Sequence, residues 1–261
     1  MRRVEPKVFL IGESRIIEDG LQAYLNHIGV PDWKSNAPSD AEKLIEVMGR
    51  SCYRSFEPGL NPNVTKIRED NRDYLKNIIK VKHGSVVEHP VVNFIFADVS
   101  RVFTHELVRH RAGTAISQES LRFVRLENLG QWLPTVISEN QEAVEIFAST
   151  FEHLENLQLE LAKLFRLDEP GTLFHYKKVV TSAMRRIAPI GLATTIGWSA
   201  NIRTIRWVLE MRTDPSAEEE IRLIFGKVGD LVTKRYPNLF ADFTAEIKDG
   251  HSHYLPTSSK I

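Results

Sequence analysis

The chain has 261 residues, and 42% of them are hydrophobic, so it is long enough to bury a substantial core in one large domain or two small ones. Its 34 Lys and Arg residues balance its 34 Asp and Glu residues, which gives zero formal net charge. This balance argues against a nucleic-acid partner, because broad binding to a phosphate backbone needs an excess of basic residues. Any anion-binding site must therefore be local.

The single cysteine, Cys52, excludes an intramolecular disulfide and a thiolate metal cluster, and it favours a reducing compartment. We interpret Cys52 as a half-buried packing residue rather than a nucleophile, because a reactive thiolate needs an electropositive pocket. The N-terminal residues Met1–Pro6 lack the apolar run of a signal peptide, and no stretch approaches about 18 apolar residues. The sequence predicts a soluble, cytoplasmic protein without a membrane partner.

Hydrophobic periodicity predicts a chain that is mostly helical. The expected helices, in chain order, are Ile16–Ile28, Asp40–Tyr53, Arg72–Lys82, Arg101–Arg111, Asn140–Arg166, Gly171–Arg186, Ala200–Arg212 and Ala217–Tyr236. Ser39 or Asp40 is a suitable N-cap for the second helix, Val91–Val99 reads as a strand, and Ile116–Leu126 reads as extended.

No linker, internal repeat or low-complexity tract divides the sequence. We therefore expect one α+β domain over residues 1–261, rich in helix around a small sheet. Residues 1–39 form an N-terminal extension in this interpretation. The tail from about Asp249 to the end is expected to be frayed and flexible.

The most informative motif is Arg109-His110-Arg111, followed by Gln118, Ser120 and Arg122. Arginine offers a planar fork of donors that matches a phosphate, and Gln and Ser add neutral hydrogen bonds that suit a base and a sugar. The alternative is a solvated helix end, where the helix dipole favours cations without any ligand. A phosphate site here must use side chains, because the sequence has neither a dinucleotide-binding glycine motif nor a P-loop.

Two histidine motifs raise the alternative of a metal site. His105 and His110 resemble a zinc-binding HExxH pair, but the second histidine comes one position late, so the side chains point about 140° apart on a helix. Glu106 pairing with His110 on the helix surface is the simpler interpretation. The segment His83–His89 reads as a structural turn with Gly84 as a C-cap, although imidazole rings can also stack on a flat cofactor.

A third region contains several arginines near the C-terminal helices. Arg203 and Arg212 are nine residues apart, which places them on opposite faces of a helix, where they serve two ligands or two subunits. We interpret Arg206, between them, as a surface salt-bridge residue.

Four blocks occur in a fixed order along the chain. They are His83-x-Ser85-x-x-Glu88-His89, then Arg109-His110-Arg111 with Ser120 and Arg122, then Arg185-x-x-x-Pro189, and finally Asn201-x-Arg203 with Met211-Arg212. This order, over roughly Arg50 to Tyr236, resembles the flavin-dependent thymidylate synthases, the ThyX family.

The resemblance implies an activity and a fold. The implied reaction is reductive methylation of dUMP to dTMP, with 5,10-methylenetetrahydrofolate as carbon donor, FAD as redox cofactor and NADPH as reductant. Cys52 lies outside every block, which agrees with a mechanism that needs no cysteine nucleophile. The implied fold is a twisted antiparallel sheet with flanking helices, assembled into a homotetramer with shared active sites.

The resemblance also implies roles for individual residues. Those expected to bind FAD are His83, Ser85, Arg109, His110, Arg111, Gln118, Asn201 and Arg203, the last two reaching it from a neighbouring subunit. Those expected to bind dUMP are Glu106, Arg109, Gln118, Ser120, Arg122, Arg185 and Arg212, with Arg185 coming from another chain. Arg212 matches the catalytic residue that activates the uracil ring, and no metal ligand is expected.

Three positions depart from the family pattern. Glu106 stands where a Gln is common, Trp207 stands at an often polar position, and Ser216 replaces a His. A flavin-dependent methylase of another uracil nucleotide is therefore an alternative. A second alternative is a metal-dependent hydrolase, whose metal ligands would come from His83, Glu88, His89, His105 and His110. A third alternative is a nucleotide-binding protein without catalytic activity.

Overall fold

The computed structural model describes residues 2–122 and 128–259. The α-helices of this part are α1 (Glu18–His27), α2 (Asp40–Tyr53), α3 (Asn71–Lys80), α4 (Arg101–Leu107), α5 (Thr135–Ser138), α6 (Gln141–Leu164), α7 (Phe174–Met184), α8 (Ile202–Arg212) and α9 (Glu219–Arg235). Two short 3₁₀ helices cover Gly84–Glu88 and Arg185–Ile187. None of the helices in the described ranges is both long and apolar enough to cross a bilayer.

The strands are β1 (Arg2–Arg3), β2 (Lys7–Glu13), β3 (Val91–Ser100), β4 (Thr114–Gln118), β5 (Gly130–Gln131), β6 (Ala193–Asn201), β7 (Phe243–Lys248) and β8 (His251–Pro256). The main sheet has the strand order β2-β3-β6-β4. The other two sheets are the parallel pair β1-β5 and the antiparallel pair β7-β8.

Neighbouring strands of the main sheet run antiparallel, because the end of each strand is hydrogen-bonded near the start of the next. The bonds that show this are Ser14 N to Val91 O (3.0 Å), Arg101 N to Leu192 O (3.2 Å) and Asn201 N to Gly113 O (3.0 Å). The predicted α+β class, with an antiparallel sheet and a helix-rich chain, is confirmed.

The chain forms two compact units. Unit 1 contains Met1–Phe9, Ile95–Arg109 and Ile116–Trp198, and unit 2 contains Leu10–Phe94, His110–Ala115 and Ser199–Ile261. Each unit is thus assembled from separate chain segments.

The core of unit 2 forms where α8 meets α9. Ile205, Val208 and Leu209 of α8 are fully buried, as are Phe225 and Val228 of α9. Their spacing of three or four residues aligns them along one face of each helix. Burying each such side chain stabilises the fold by about 1.5–3 kcal/mol, so this contact holds α8 in place.

The core of unit 1 is aromatic where β3 leads into α4. The ring of Phe96 packs against Phe103 with centroids 5.4 Å apart and against Trp198 at 6.0 Å. Leu107, at the end of α4, is fully buried. This packing fixes α4 just before the Arg109-His110-Arg111 motif.

Several predicted elements agree closely with the structure. The helix Asp40–Tyr53 has the predicted bounds, and Ser39 is its N-cap, with Oγ accepting a hydrogen bond from Glu42 N at 3.3 Å. The strand Val91–Val99 is observed as β3, one residue longer.

Other predicted bounds are wrong. The helix from Arg101 ends at Leu107 rather than at Arg111, and the helix predicted from Gly171 begins at Phe174 after Gly171 adopts a φ of +88°. The extended segment Ile116–Leu126 is a strand only up to Gln118, and its residues 123–127 lie outside the described residues.

Two of the missed strands belong to the main sheet. β2 lies within residues 1–39, which were predicted to be an N-terminal extension. This segment instead contributes a strand to the main sheet. β6 has a regular alternation of buried and half-buried residues, but small and polar residues occupy the half-buried positions and weaken the pattern. The predicted helix Ala200–Arg212 therefore begins two residues later, at Ile202.

Three smaller predictions are corrected. Lys82, with a φ of +57°, occupies the left-handed position after α3, and Gly84 is instead the first residue of a 3₁₀ helix. Cys52 is exposed rather than half-buried, because the last turn of α2 is open to solvent. The tail is not frayed over His251–Pro256, since these residues pair with β7 and bury Tyr254.

Arg206 is buried, and its assignment to a surface salt bridge is wrong. Its guanidinium donates two parallel hydrogen bonds to the Asp242 carboxylate, at 2.8 and 2.9 Å, and a further one to Leu239 O. The Arg206 side chain is 1% exposed and the Asp242 side chain 13% exposed. The pair is therefore a desolvated structural contact.

Removing the carboxylate is expected to destabilise the protein strongly. We expect Asp242→Ala to lower the free energy of unfolding by about 3–5 kcal/mol, because it leaves a buried cation without its counter-charge. Asp249→Ala is the matched control, since Asp249 pairs with Arg222 but is 74% exposed, and it should cost less than about 1 kcal/mol. Urea unfolding of both variants measures the difference, and equal losses would contradict the assignment.

Glu13, at the end of β2, is anchored to the end of α9. Its carboxylate accepts hydrogen bonds from Arg235 Nε at 3.1 Å and from the Tyr236 hydroxyl at 2.8 Å. The hydrogen bond from Arg235 lowers the pKa of Glu13, against the opposing effect of its partial burial. Since the folded-state pKa lies below the unfolded one, Glu13 stabilises the fold above its ordinary pKa, and this stability disappears as the pH falls through the folded-state pKa.

Glu13→Gln should therefore weaken the acid dependence of stability. We expect a loss of about 1 kcal/mol at pH 7, and a smaller difference from the wild type as the pH falls below the ordinary glutamate range. Denaturant unfolding at a series of pH values between neutral and acidic measures this, and a difference that grows toward acid would contradict it.

Candidate active site

The residues expected to form the site fall into two sets, one in each unit. Unit 2 contains His83, Ser85, His110, Arg111, Asn201, Arg203 and Arg212. Unit 1 contains Glu106, Arg109, Gln118, Ser120, Arg122 and Arg185.

A cavity of about 340 Å³ lies in unit 2. Its lining residues are Glu88, Ala112, Gly113, Asn201, Arg203, Thr204 and Trp207. They come from the 3₁₀ helix Gly84–Glu88, from the loop after Arg111 and from the first turns of α8. Binding pockets for small molecules begin at about this size.

The start of α8 is tied to the loop that precedes β4. Asn201 Oδ1 accepts from Thr204 N at 2.8 Å and so caps the helix, while Asn201 N donates to Gly113 O at 3.0 Å. Thr204 Oγ1 donates to Ala112 O at 2.8 Å. Gly113 has a φ of +67°, and a Cβ there would lie 2.3 Å from Asn201 Nδ2, so both the backbone conformation and the close approach require glycine.

Arg203 points its charge into the wall of the cavity. Its guanidinium donates to Glu88 Oε1 at 2.5 Å, and it packs over Gly84, where a Cβ would lie 2.7 Å from Arg203 Cζ. The Arg203 and Glu88 side chains are 43% and 47% exposed. A pair this exposed contributes at most about 1 kcal/mol, so an anionic ligand can compete with Glu88 for the guanidinium.

His83 and Ser85 lie at the other edge of the 3₁₀ helix. His83 Nδ1 is buried and has no hydrogen-bond partner in the described part of the chain. The His83 ring packs against Tyr53 with centroids 5.3 Å apart and an interplanar angle of 62°. Ser85 is exposed. This exposed hydroxyl and the His83 nitrogen are therefore only two residues apart in the sequence.

His110 and Arg212 are in direct contact. Arg212 Nε donates to His110 Nε2 at 2.8 Å. His110 Nε2 is the acceptor in this bond, since an arginine nitrogen can only donate. His110 is 3% exposed, and its ring packs at 5.3 Å against Trp207, with the planes at 82°. The neighbouring Arg111 is exposed.

In unit 1, Gln118 ends β4 and is fixed by a hydrogen bond. Its Nε2 donates to Thr104 Oγ1 at 3.1 Å. The next residue, Glu119, accepts from Thr195 N at 3.1 Å through Oε2, and its backbone N donates to Thr195 O at 2.9 Å. Hydrogen bonds therefore hold the last residue of β4 and the first residue of the polar loop that follows it.

Arg101, which sequence reasoning did not select, also belongs to this set. Its guanidinium donates to Glu119 O at 3.1 Å, and its Nε is buried without a hydrogen-bond partner among the described residues. Burial lowers the pKa of Arg101, and the nearby charge of Arg185 adds to this effect, against the opposing influence of Glu119. Two arginines that repel each other favour an anion between or beside them.

A sequence signal for Arg101 was available. Arg101 is the first residue of α4, where the positive end of the helix dipole disfavours a cation. A cation placed there at an energetic cost indicates a function other than helix stability.

The remaining unit 1 residues face solvent to different degrees. Arg109, Arg122 and Arg185 are exposed, while Glu106 and Ser120 are half-buried. Ser120 Oγ accepts from Arg122 N at 3.3 Å and shapes the turn between them. The exposed guanidiniums are accessible to a phosphate.

The histidine-based metal alternative gains no support. No group of three or more His, Cys, Asp or Glu residues in the described ranges 2–122 and 128–259 could hold a metal ion.

The family model Thy1, described as thymidylate synthase complementing protein, matches residues 35–238. The flavin-dependent thymidylate synthase of Corynebacterium diphtheriae is 32% identical over 224 residues, which cover 84% of this chain and 86% of that protein. The enzyme of the same name from Corynebacterium glutamicum is 34% identical over 225 residues, with the same shares covered.

Solved structures share the fold. A UMP/dUMP methylase PolB from Streptomyces cacaoi, bound with 5-Br UMP, has a TM-score of 0.61 at 14% identity, covering 92% of this chain and 94% of that one. ThyX from Helicobacter pylori, solved with FAD and dUMP, has a TM-score of 0.54 at 20% identity, covering 77% and 93%. The fold, the four ordered motif blocks and the family match agree, and the chain belongs to the Thy1 family, the flavin-dependent thymidylate synthases.

Proposed function

We propose that this chain catalyses the reductive methylation of dUMP to dTMP, with 5,10-methylenetetrahydrofolate as carbon donor and NADPH as the reductant of FAD. The observation that carries the proposal is the cavity of unit 2, because its walls combine residues from separate motif blocks. Glu88 belongs to the first block, Ala112 and Gly113 follow the Arg109-His110-Arg111 block, and Asn201 and Arg203 form the last. Random similarity of short motifs has no reason to produce one shared cavity.

The residues of unit 2 fit a flavin nucleotide. The absence of side chains at 84 and 113 lets the Arg203 guanidinium and the Asn201 amide lie against the backbone beside the cavity, and among the described residues the buried His83 Nδ1 has no hydrogen-bond partner. Arg203 and Arg111 supply donors for the pyrophosphate, and Asn201 and Ser85 supply neutral hydrogen bonds. When bound, FAD supplies the redox chemistry, while the protein provides position and electrostatics.

The residues of unit 1 fit a uracil nucleotide. The arginines at 109, 122 and 185 suit a phosphate, and Arg101 adds a fourth guanidinium to this set. Gln118, Ser120 and Glu106 suit the base and sugar, with Gln118 and Arg109 also adjoining the cofactor. Glu106 in place of Gln adds a carboxylate, which the positive charge of the four arginines offsets.

Arg212 activates the uracil ring in this proposal. A fixed cation beside the ring stabilises the negative charge that develops as carbon 5 becomes nucleophilic. The Arg212 Nε bond to His110 supports this role, because it orients the guanidinium before substrate binds. His110 thereby serves both the cofactor and the catalytic arginine.

We further propose a cytoplasmic homotetramer in which each active site is shared. Exposed apolar side chains at the start of α7 support subunit contact, since Leu173 and Phe174 are 75% and 70% exposed. Asn201 and Arg203 would then act on the cofactor of one neighbour, and Arg185 on the nucleotide of another. Residues 1–261 would act as one catalytic domain.

Formation of dTMP tests the activity directly. The purified chain, supplied with FAD, NADPH, methylenetetrahydrofolate and dUMP, should yield dTMP on chromatography, and omission of any one component should abolish the product. UMP offered in place of dUMP tests the alternative substrate. Absence of dTMP with flavin bound would contradict the proposal.

Gly113→Ala should weaken FAD binding. A methyl group there collides with Asn201 and Thr204 and must displace the Asn201 side chain that lines the cavity, so we expect a loss of about tenfold in FAD affinity, the effect of one misplaced hydrogen-bonding group. Gly29→Ala is the matched control, because Gly29 has a φ of +81° but nothing within 4 Å of a Cβ. Fluorescence titration with FAD compares the two, and equal affinities would contradict the proposed site.

Arg212→Ala should remove nearly all turnover while leaving the flavin bound. Loss of one preorganised charge-stabilising group lowers kcat by about 10²–10³-fold. Arg72→Ala, on the exposed face of α3, controls for loss of a positive charge elsewhere in unit 2. Steady-state dTMP formation and the FAD absorbance of each purified variant provide the comparison, and near-normal kcat in the Arg212 variant would remove this residue from the mechanism.

A further inference from the structure

The hairpin formed by β7 and β8 covers the C-terminal end of α8 in unit 2. It begins after residue 238, where the family match ends. Its strands pair in a regular antiparallel register, with Ala245 opposite Tyr254. The other edge of β8 contacts the residues that follow Arg212.

Thr213, the residue directly after Arg212, makes the central contact. It is fully buried, and its Oγ1 accepts from Tyr254 N at 2.8 Å while donating to Leu209 O at 2.8 Å. One hydroxyl thus joins β8 to the last turn of α8. A neutral buried hydroxyl with both bonds satisfied holds its neighbours at fixed positions.

Tyr254 is itself held in one position. Its ring lies against Gly229 of α9, where a Cβ would be only 2.2 Å from Tyr254 Cε2. Its hydroxyl donates to Asp230 Oδ1 at 2.5 Å. The absence of a side chain at 229 therefore decides where Tyr254, and with it the bond to Thr213, can lie.

Two further contacts connect the C-terminal segment to the same region. Ser259 Oγ donates to Glu210 Oε1 at 2.5 Å, two residues before Arg212. His253 Nε2 lies 4.0 Å from the Asp214 carboxylate, two residues after it. Arg212 is therefore bracketed on both sides by contacts with residues beyond 238.

We infer that the β7-β8 hairpin positions Arg212 through the Tyr254–Thr213 hydrogen bond, so that Arg212 Nε meets His110 Nε2. The expected effect on kcat rests on the proposed function, whereas the position of Arg212 against His110 does not depend on it. Tyr254 and Thr213 are positioning residues, since they act through Arg212.

Two glycines of α9 provide a matched test. Gly229→Ala forces the Tyr254 ring to move, whereas Gly226→Ala places its Cβ 3.4 Å from Ser252 Cβ, at ordinary contact distance. Both glycines are buried in α9 beneath β8, and alanine is favoured over glycine in a helix at either position. We expect Gly229→Ala to lower kcat at least about fivefold, the effect of one hydrogen bond, with KM for dUMP and FAD affinity within about twofold. Gly226→Ala should match the wild type.

Thr213→Val and Thr213→Ser provide a second pair. Thr213→Val keeps the side-chain shape but loses the hydroxyl, so it should lower kcat about as much as Gly229→Ala does. Thr213→Ser keeps the hydroxyl, so its kcat should stay close to that of the wild type. A uniform loss in both variants, or a loss in KM and FAD affinity as large as that in kcat, would overturn the positioning role. If Gly229→Ala does not fold, the threonine pair decides.

The Arg212 side chain can also be observed without turnover. In protein labelled with ¹⁵Nε-arginine, the Arg212 Nε resonance, which reports its bond to His110, should shift in Gly229→Ala and Thr213→Val but not in Gly226→Ala. An unchanged resonance in both of the first two variants overturns the inference. A wild type that makes no dTMP but shows these shifts would instead contradict the proposed function and leave the positional claim supported.

Discussion

The turn from β6 into α8 at Asn201 is the constraint on which the cavity of unit 2 depends. Asn201 bonds to the loop after Arg111 with its backbone and caps α8 with its side chain. Only glycine at position 113 permits this approach. Once the turn is set, Arg203 enters the cavity wall, and the α8 axis determines where Arg212 meets His110. A loop, a helix start and a catalytic candidate are thus fixed by one junction.

Two arginines of the described residues are fully buried, whereas several of those in the motif blocks are exposed. Arg50 and Arg206 are both buried, and each has a carboxylate partner, Glu46 for Arg50 and Asp242 for Arg206. Removing the carboxylate partner of such a desolvated guanidinium is strongly destabilising, so these two arginines serve the fold. The exposed arginines in the motif blocks have no such constraint, which is how a chain with zero net charge still provides local anion sites.

Sequence reasoning identified the motif blocks because they combine unusual residue types at fixed spacing. It also predicted α2 and β3, whose periodicity and caps are strong. It missed β2 and β6, since an edge strand and a strand with small residues give weak alternation. It misassigned Arg206, because helical spacing alone does not show that Asp242, 36 residues away, supplies a buried carboxylate. The hairpin contact to Thr213 was equally invisible, since it depends on a glycine in α9 and a tyrosine in β8.

The central claim is that this chain binds a flavin whose reduction is coupled to a uracil nucleotide. The most direct measurement is the visible absorption spectrum of the purified protein with FAD, followed under anaerobic conditions after addition of NADPH, with and without dUMP. We expect the flavin bands to bleach, and to bleach faster when dUMP is present. A protein that binds no FAD, or whose flavin is reduced at the same rate with and without the nucleotide, would contradict it.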